Sequence, residues 1–148
     1  AYGIQRAKNH SLDYKIIDNN KFETREDFDR ALVEELKYSN PDLIVLAGFM
    51  RILTPVVIEA FKNKIINIHP SLLPKYPGLN THKRALEAKD SIHGSTIHFV
   101  TSELDSGPII RQESFKIEPS DTEESLINKV KSLEHKIYPE TISFLIKQ

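Results

Sequence analysis

The chain has 148 residues, of which 39% are hydrophobic and 28% charged, and 20 basic residues nearly balance 21 acidic ones to a net charge of −1. This length suits one ordinary domain with a real core. The even charge argues against a binder of nucleic-acid backbone, which needs clustered lysine and arginine. The lack of cysteine excludes disulfides and thiolate zinc sites. No apolar run approaches the roughly 20 residues of a membrane span. We expect one cytoplasmic domain, 1–148, without a nucleic-acid or membrane partner.

The first half of the chain predicts alternating helices and strands. Apolar residues at four-residue spacing favour a helix, whereas a short run that is apolar at every position is typical of a strand buried on both faces. The predicted elements are a helix over 1–9, an edge strand over 14–17, a helix capped by Thr24 and ended by Asn40, a buried strand over 43–47, a helix from Pro55 to about Phe61, and a buried strand over 65–68.

The second half predicts a stiff loop, two more strands and two helices. The loop over 69–80 contains three prolines and a glycine, which disfavour regular structure. The remaining predicted elements are a helix capped by Thr81, strands over 92–101 and 109–117, and a final helix opened by a capping box of Ser120 and Glu123 and kinked at Pro139. The strand–helix–strand order at 43–68 indicates a right-handed crossover and parallel pairing, hence an α/β fold.

Two polar residues stand at the end of the second buried strand. Asn67 and His69 are two apart on an extended chain, so their side chains project from the same face. In open α/β sheets ligands bind at the carboxyl ends of the strands. An amide there can stabilise negative charge on a carbonyl oxygen, and an imidazole can move a proton near neutral pH. Spacing alone leaves open the alternative that both only satisfy loop carbonyls.

Other polar residues carry weaker signals. Asp105 lies in a predicted tight turn, where aspartate is common for backbone reasons, and a turn role is favoured from sequence alone. Lys131 and Glu134 are three apart on the last helix, an ordinary surface pair. The remaining histidines fit no metal-ligand spacing, so no metal is expected. No glycine-rich phosphate loop and no nucleophile elbow occur, so a covalent acyl-enzyme is unsupported.

Several runs of the sequence closely resemble the phosphoribosylglycinamide formyltransferase family. The resemblance extends in order over essentially the whole chain. The matching runs are Leu46 to Leu53, Asn67 to Gly78, His98 to Thr101, Leu104 to Pro108, and Glu134 to Pro139.

The resemblance implies a fold and an activity. The fold would be a three-layer, Rossmann-like formyltransferase fold with a mostly parallel central sheet. The activity would be transfer of a formyl group from 10-formyltetrahydrofolate, the cosubstrate, to the amine of glycinamide ribonucleotide in purine synthesis. Transfer would be direct, through a tetrahedral intermediate, and the protein would be a monomer or homodimer that acts on small molecules.

The resemblance also implies roles for single residues. Asn67, His69 and Asp105 match the catalytic trio of the family. The folate-binding positions would be Met50, Arg51, Leu53, Asn67, Thr101 and Asp105. The positions that contact the nucleotide substrate would be Pro70, Gly78, Lys131 and Glu134.

The family pattern differs from this sequence at its start. Family members begin with a strand, a phosphate-binding loop, a helix and a second strand, and none of these precedes Ala1 in the given sequence. We therefore expect an N-terminally truncated domain that lacks the backbone donors for a nucleotide phosphate. The alternative functions are a formyltetrahydrofolate deformylase, which departs from this sequence at Pro70 and over 75–78, and a folded but inactive fragment.

Overall fold

The computed structural model describes residues 1–148 as five α-helices, one short 3₁₀ turn and four β-strands. In chain order they are α1 (Tyr2–Asn9), the 3₁₀ turn (Asn19–Lys21), α2 (Arg25–Ser39), β1 (Ile44–Leu46), α3 (Pro55–Ala60), β2 (Ile65–His69), α4 (Thr81–Glu87), β3 (Ile92–Phe99), β4 (Ile109–Lys116) and α5 (Glu123–Ile146). None of the helices is long and apolar enough to span a membrane.

The four strands form one sheet in the order β1-β2-β3-β4. The α/β class and the parallel pairing of β1 with β2 are confirmed. The β2–β3 and β3–β4 pairings are antiparallel, so the expected mostly parallel arrangement describes β1 and β2, and the sheet of these residues is mixed. The connection over 100–108 explains the β3–β4 pairing, because it is too short for the crossover that parallel strands need.

Helices cover both faces of the sheet, which gives the three layers that the family resemblance implies. Consecutive strand residues point to opposite faces, and Ile65 and Ile66 in β2 accordingly enter different cores. Ile65 packs with buried residues of α2, of α3 and of the segments that flank α3: Val33, Leu53, Val57 and Phe61. Ile66 packs with Ile97 of β3 and with Ile137 and Tyr138 of α5. The polar carboxyl end of β2 therefore lies at the edge of two apolar layers.

Two predicted segments differ from the structure. Residues 14–17 form no strand. Val45 in β1 is 38% exposed, although a strand buried on both faces was predicted, because β1 lies at the edge of this four-stranded sheet.

The predicted first helix is confirmed as α1, but it buries none of its residues. Helix α5 continues through Pro139 to Ile146.

Two predicted helix caps are also displaced along the chain. Asn80, with φ +57°, is the N-cap of α4, and Thr81 is the first helical residue. At α5 the capping box is formed by Thr122 and Ser125 rather than by Ser120 and Glu123. Helix α4 already includes Thr81, so its N-cap is the residue before it, whereas at α5 Ser120 lies in the turn that precedes the helix. The cap by Thr24, whose hydroxyl accepts from the Asp27 amide, is confirmed.

One buried carboxylate joins α2 to the start of α3. Oδ2 of Asp29 accepts hydrogen bonds of 2.7 Å from both the backbone N–H and the hydroxyl of Thr54, the N-cap of α3. Asp29 is only 3% exposed. This contact fixes the segment over 49–54, which leads from β1 along the polar ends of the strands.

We predict that Asp29→Ala lowers the free energy of unfolding by about 2–3 kcal/mol, because two donors of Thr54 lose a charged acceptor inside the protein. Urea unfolding of the intact protein measures this. Asp42→Ala, at an exposed position, is the matched control. Equal unfolding midpoints for the two variants would contradict the assigned role of Asp29.

Candidate active site

Asn67 and His69 lie at the carboxyl end of β2, as predicted. The antiparallel register places Asn67 opposite His98 and His69 opposite Thr96 of β3. His69 is 6% exposed and Asn67 is partly buried. Two polar side chains on the same face of a central strand therefore open toward the loops that follow the sheet.

Asp105 is brought to His69 by the loop that joins β3 to β4. Its Oδ2 atom lies 3.4 Å from Nδ1 of His69 and accepts a 2.9 Å hydrogen bond from the backbone N–H of Gly78. The Asp105 side chain is 8% exposed, and its backbone has φ +49°. The loop lies close against β3, since a Cβ at Gly107 would overlap the Phe99 carbonyl oxygen. Asp105 thus contacts His69 and Gly78 in addition to forming part of the turn.

Both ring nitrogens of His69 face acceptors. Nε2 lies 2.8 Å from the carbonyl oxygen of Tyr76. A carbonyl only accepts, so Nε2 carries a hydrogen and donates. Nδ1 faces Asp105 at 3.4 Å, which is longer than the usual 2.7–2.9 Å of a charge-assisted bond. This leaves Nδ1 able to turn toward an oxygen atom of a bound substrate.

His98, to which the sequence analysis assigned no site role, belongs to the same cluster. Its Nδ1 lies 2.9 Å from the carbonyl oxygen of Phe99 and therefore donates to it, which leaves Nε2 as the acceptor of the neutral ring. That Nε2 lies 3.5 Å from Nδ2 of Asn67 and 3.8 Å from Oδ1 of Asp105. His98 thus orients the Asn67 amide. The signal in the sequence is that His98 begins one of the runs that match the family.

A cleft begins at this cluster and continues between the segment after β1 and the loop after β3. Its polar end holds Asn67, His98 and Asp105. The other lining residues are Leu46, Phe49, Arg51, Ile52, Leu53, Val100, Thr101, Glu103 and Leu104. A flat ring system bound there would meet apolar walls and have polar partners at one end.

Five of the six residues predicted to bind folate line this cleft: Arg51, Leu53, Asn67, Thr101 and Asp105. The sixth, Met50, is 80% exposed and its side chain does not line the cleft. The Arg51 guanidinium lies over the Phe28 ring, 4.7 Å from its centroid, which holds the charge at the cleft wall.

The residues predicted to contact the nucleotide lie outside this cleft. The Ser95 hydroxyl lies 2.9 Å from Oε1 of Glu134 and 2.8 Å from the backbone carbonyl oxygen of His69. Burial raises the pKa of the Glu134 carboxyl above its usual value. Lys131 is exposed on α5, one turn away. The backbone N–H of Gly78 donates to Asp105, and Pro70 directly follows His69.

No group of three or more histidine, aspartate or glutamate side chains converges closely enough to hold a metal ion. The chemistry that the cluster itself offers is hydrogen-bond donation to an oxygen and proton movement. Both suit transfer of an acyl group at a carbonyl carbon.

The sequence matches the profile described as formyl transferase over residues 1–142. The chain belongs to the formyl transferase family. Among curated relatives, the phosphoribosylglycinamide formyltransferase of Escherichia coli strain K12 is 45% identical over 144 residues, which cover 97% of this chain and 68% of that protein. The predicted family resemblance is confirmed.

Solved structures of formyl transferase family members confirm the fold. The phosphoribosylglycinamide formyltransferase of Coxiella burnetii, in complex with CHES, is 48% identical with a TM-score of 0.94, over 98% of this chain and 68% of that one. The enzyme of the same name from Bacillus halodurans is 39% identical with a TM-score of 0.93, over 98% of this chain and 75% of that one. The chain thus spans about two thirds to three quarters of the length of these relatives.

The raised pKa of Glu134 in this formyl transferase predicts a pH dependence of stability. The folded protein binds the Glu134 proton more tightly than the unfolded chain does, so the ionised side chain costs stability. The free energy of unfolding should therefore fall as the pH rises from the unfolded pKa near 4.5 through the higher folded pKa. Glu134→Gln cannot ionise and should lack this fall.

Urea unfolding of the intact protein between about pH 4 and 7 measures the difference. Glu134→Gln should gain stability relative to wild type as the pH rises. The exposed Glu59→Gln is the control and should keep the wild-type profile. A constant difference between Glu134→Gln and wild type across this range would refute the prediction.

Proposed function

We propose that this formyl transferase family member transfers a formyl group from 10-formyltetrahydrofolate to the amine of glycinamide ribonucleotide, and that Asn67, His69 and Asp105 carry out the transfer. The observation that carries the proposal is that Asn67 and Asp105 line one end of the cleft while Asp105 also contacts His69. The relatives' names, phosphoribosylglycinamide formyltransferase, support the choice of acceptor.

The reaction forms one carbon–nitrogen bond and breaks another. The substrate amine attacks the formyl carbon, and the carbonyl oxygen becomes negatively charged in a tetrahedral intermediate. Collapse of the intermediate breaks the bond to the folate nitrogen. The amine loses a proton and the folate nitrogen gains one, so no oxidant, reductant or further reactant is needed.

Asn67 and His69 stabilise the oxygen on which charge develops. His98 accepts one N–H of the Asn67 amide, which leaves the second N–H free to donate to that oxygen. A ring of His69 protonated on both nitrogens satisfies Tyr76 through Nε2 and presents Nδ1–H to the substrate. Such preorganised donors need no reorientation as the charge appears, which is why they lower the barrier.

Asp105 orients His69 and supports the proton movement. Its Oδ2 accepts from the backbone N–H of Gly78 and faces Nδ1 of His69, so the carboxyl group lies next to the ring. The position of Asp105 between His69 and the cleft also suits transfer of the amine proton toward the folate nitrogen, directly or through water.

Direct transfer is favoured because the serine hydroxyls next to His69 are already engaged. Ser71 donates to the carbonyls of Lys75 and Tyr76, and Ser95 lies between the His69 carbonyl and Glu134. The chain has no cysteine. No activated nucleophile therefore competes with the substrate amine.

The two substrates approach the trio from opposite sides. The folate occupies the cleft with Arg51, Leu53, Thr101 and the backbone near Met50, and the nucleotide lies toward Pro70, Gly78, Lys131 and Glu134. Residues 1–148 belong to one formyltransferase domain, of which the N-terminal part is not included. The protein works in the cytoplasm in purine synthesis, as a monomer or homodimer.

We predict that His69→Ala and Asp105→Asn in the intact protein each nearly abolish formyl transfer, because each removes a member of the trio. Asn67→Leu removes one donor to the developing oxyanion and should reduce kcat by about 10²–10³-fold. Steady-state absorbance of the tetrahydrofolate product measures turnover. His10→Ala and Asp13→Asn, at exposed positions, are the matched controls.

The same assay, run with and without glycinamide ribonucleotide, tests the acceptor. Formyl consumption should require the nucleotide, and the formylated nucleotide should accumulate in equal amount. Equal consumption without the nucleotide would indicate hydrolysis of the folate and overturn the proposed transfer. Near-wild-type turnover in His69→Ala and Asp105→Asn would overturn the assigned residues.

A further inference from the structure

The second acceptor of His69 is a backbone carbonyl in an unusual conformation. Tyr76, whose carbonyl accepts from Nε2 of His69, has φ +55°, in the left-handed region that bulky side chains rarely adopt. This conformation costs roughly 1–2 kcal/mol for a residue with a Cβ. Something outside the backbone of the loop must hold Tyr76 there.

The side chain of Tyr76 supplies that restraint. Its hydroxyl donates a 2.7 Å hydrogen bond to Oδ2 of Asp90. The other carboxylate oxygen of Asp90 lies 3.0 Å from Nζ of the neighbouring Lys75. The guanidinium of Arg84 lies 5.1 Å from the centroid of the Tyr76 ring. The ring is therefore held at its hydroxyl and on its face.

Asp90, the acceptor of the Tyr76 hydrogen bond, is itself fixed in position. It lies between α4 and β3, and its backbone N–H donates to the carbonyl of Ala85 at 3.1 Å. Its carboxylate is 15% exposed. The hydrogen bond from Tyr76 and the ion pair with Lys75 hold the pKa of the Asp90 carboxyl below its usual value, so the acceptor stays charged at neutral pH.

We propose that the hydrogen bond between Tyr76 and Asp90 positions His69 for the transfer reaction, by holding the Tyr76 carbonyl where Nε2 of His69 donates to it. Tyr76 and Asp90 are positioning residues that act through the imidazole and do not touch the substrates. This inference rests on the proposed function for its catalytic consequence, but not for its structural part.

Tyr76→Phe is the decisive variant because it removes one oxygen and retains the ring over Arg84. Without the hydroxyl, the left-handed backbone loses its bond to Asp90, and the acceptor of Nε2 of His69 is held only by the Ser71 hydroxyl and the ring contact with Arg84. We expect kcat to fall about tenfold, the effect of losing one hydrogen bond to a charged group. KM for both substrates should change less than about twofold, because no binding contact is removed. The exposed Tyr38→Phe is the matched control.

A spectroscopic measurement follows His69 independently of turnover. In protein labelled with ¹⁵N-histidine, Nε2–H of His69 should give a slowly exchanging NMR signal, which is assigned by its loss in His69→Gln. Tyr76→Phe should speed its exchange with solvent, and Tyr38→Phe should not. An unchanged exchange rate in Tyr76→Phe overturns the proposal, and so does an unchanged kcat.

Asp90→Ala provides the second arm. Because Tyr76 and Asp90 act through one bond, the double variant should be no slower than the slower single variant, whereas independent roles would multiply the two effects. Multiplied effects overturn the proposal. If wild type does not formylate the nucleotide, the proposed function fails, and the exchange measurement still decides whether Tyr76 and Asp90 position His69.

Discussion

The active arrangement depends on one oxygen atom of Asp105. Oδ2 faces Nδ1 of His69 and accepts from the backbone N–H of Gly78, so it connects the end of β2, the loop after it and the loop between β3 and β4. A buried carboxylate needs such partners, since an unpaired charge there would be costly. The need to satisfy this charge therefore orders three segments that are distant in sequence and places the imidazole within the same contact.

The sheet explains why these segments meet. Asn67 and His69 lie at the carboxyl end of β2, and antiparallel pairing brings His98 of β3 opposite Asn67. Apolar residues of β2 bury into both helical layers, which holds the strand firmly while its polar end stays accessible. The chemistry is thus supported by a rigid element, and the adaptable parts are the loops around it.

The two ring nitrogens of His69 differ in how closely their partners hold them. Tyr76 accepts from Nε2 at 2.8 Å, whereas the contact of Nδ1 with Asp105 is longer. The ring is therefore held on one side and free to exchange partners on the other. This asymmetry suits the role that we propose for His69, which is to keep its orientation and still donate to an oxyanion.

The sequence by itself determined the α/β class, most helices and strands, and the neighbouring pair Asn67 and His69, because these follow from local periodicity and alternation. It placed the caps of α4 and α5 wrongly, by one residue at α4 and by two at α5. The family resemblance grouped Asp105 with Asn67 and His69, but only the tertiary structure showed the contact of Asp105 with His69 and that of His98 with Asn67. Those contacts join residues whose separation along the chain carries no periodic signal, and they arise from strand register and loop closure rather than from local preference.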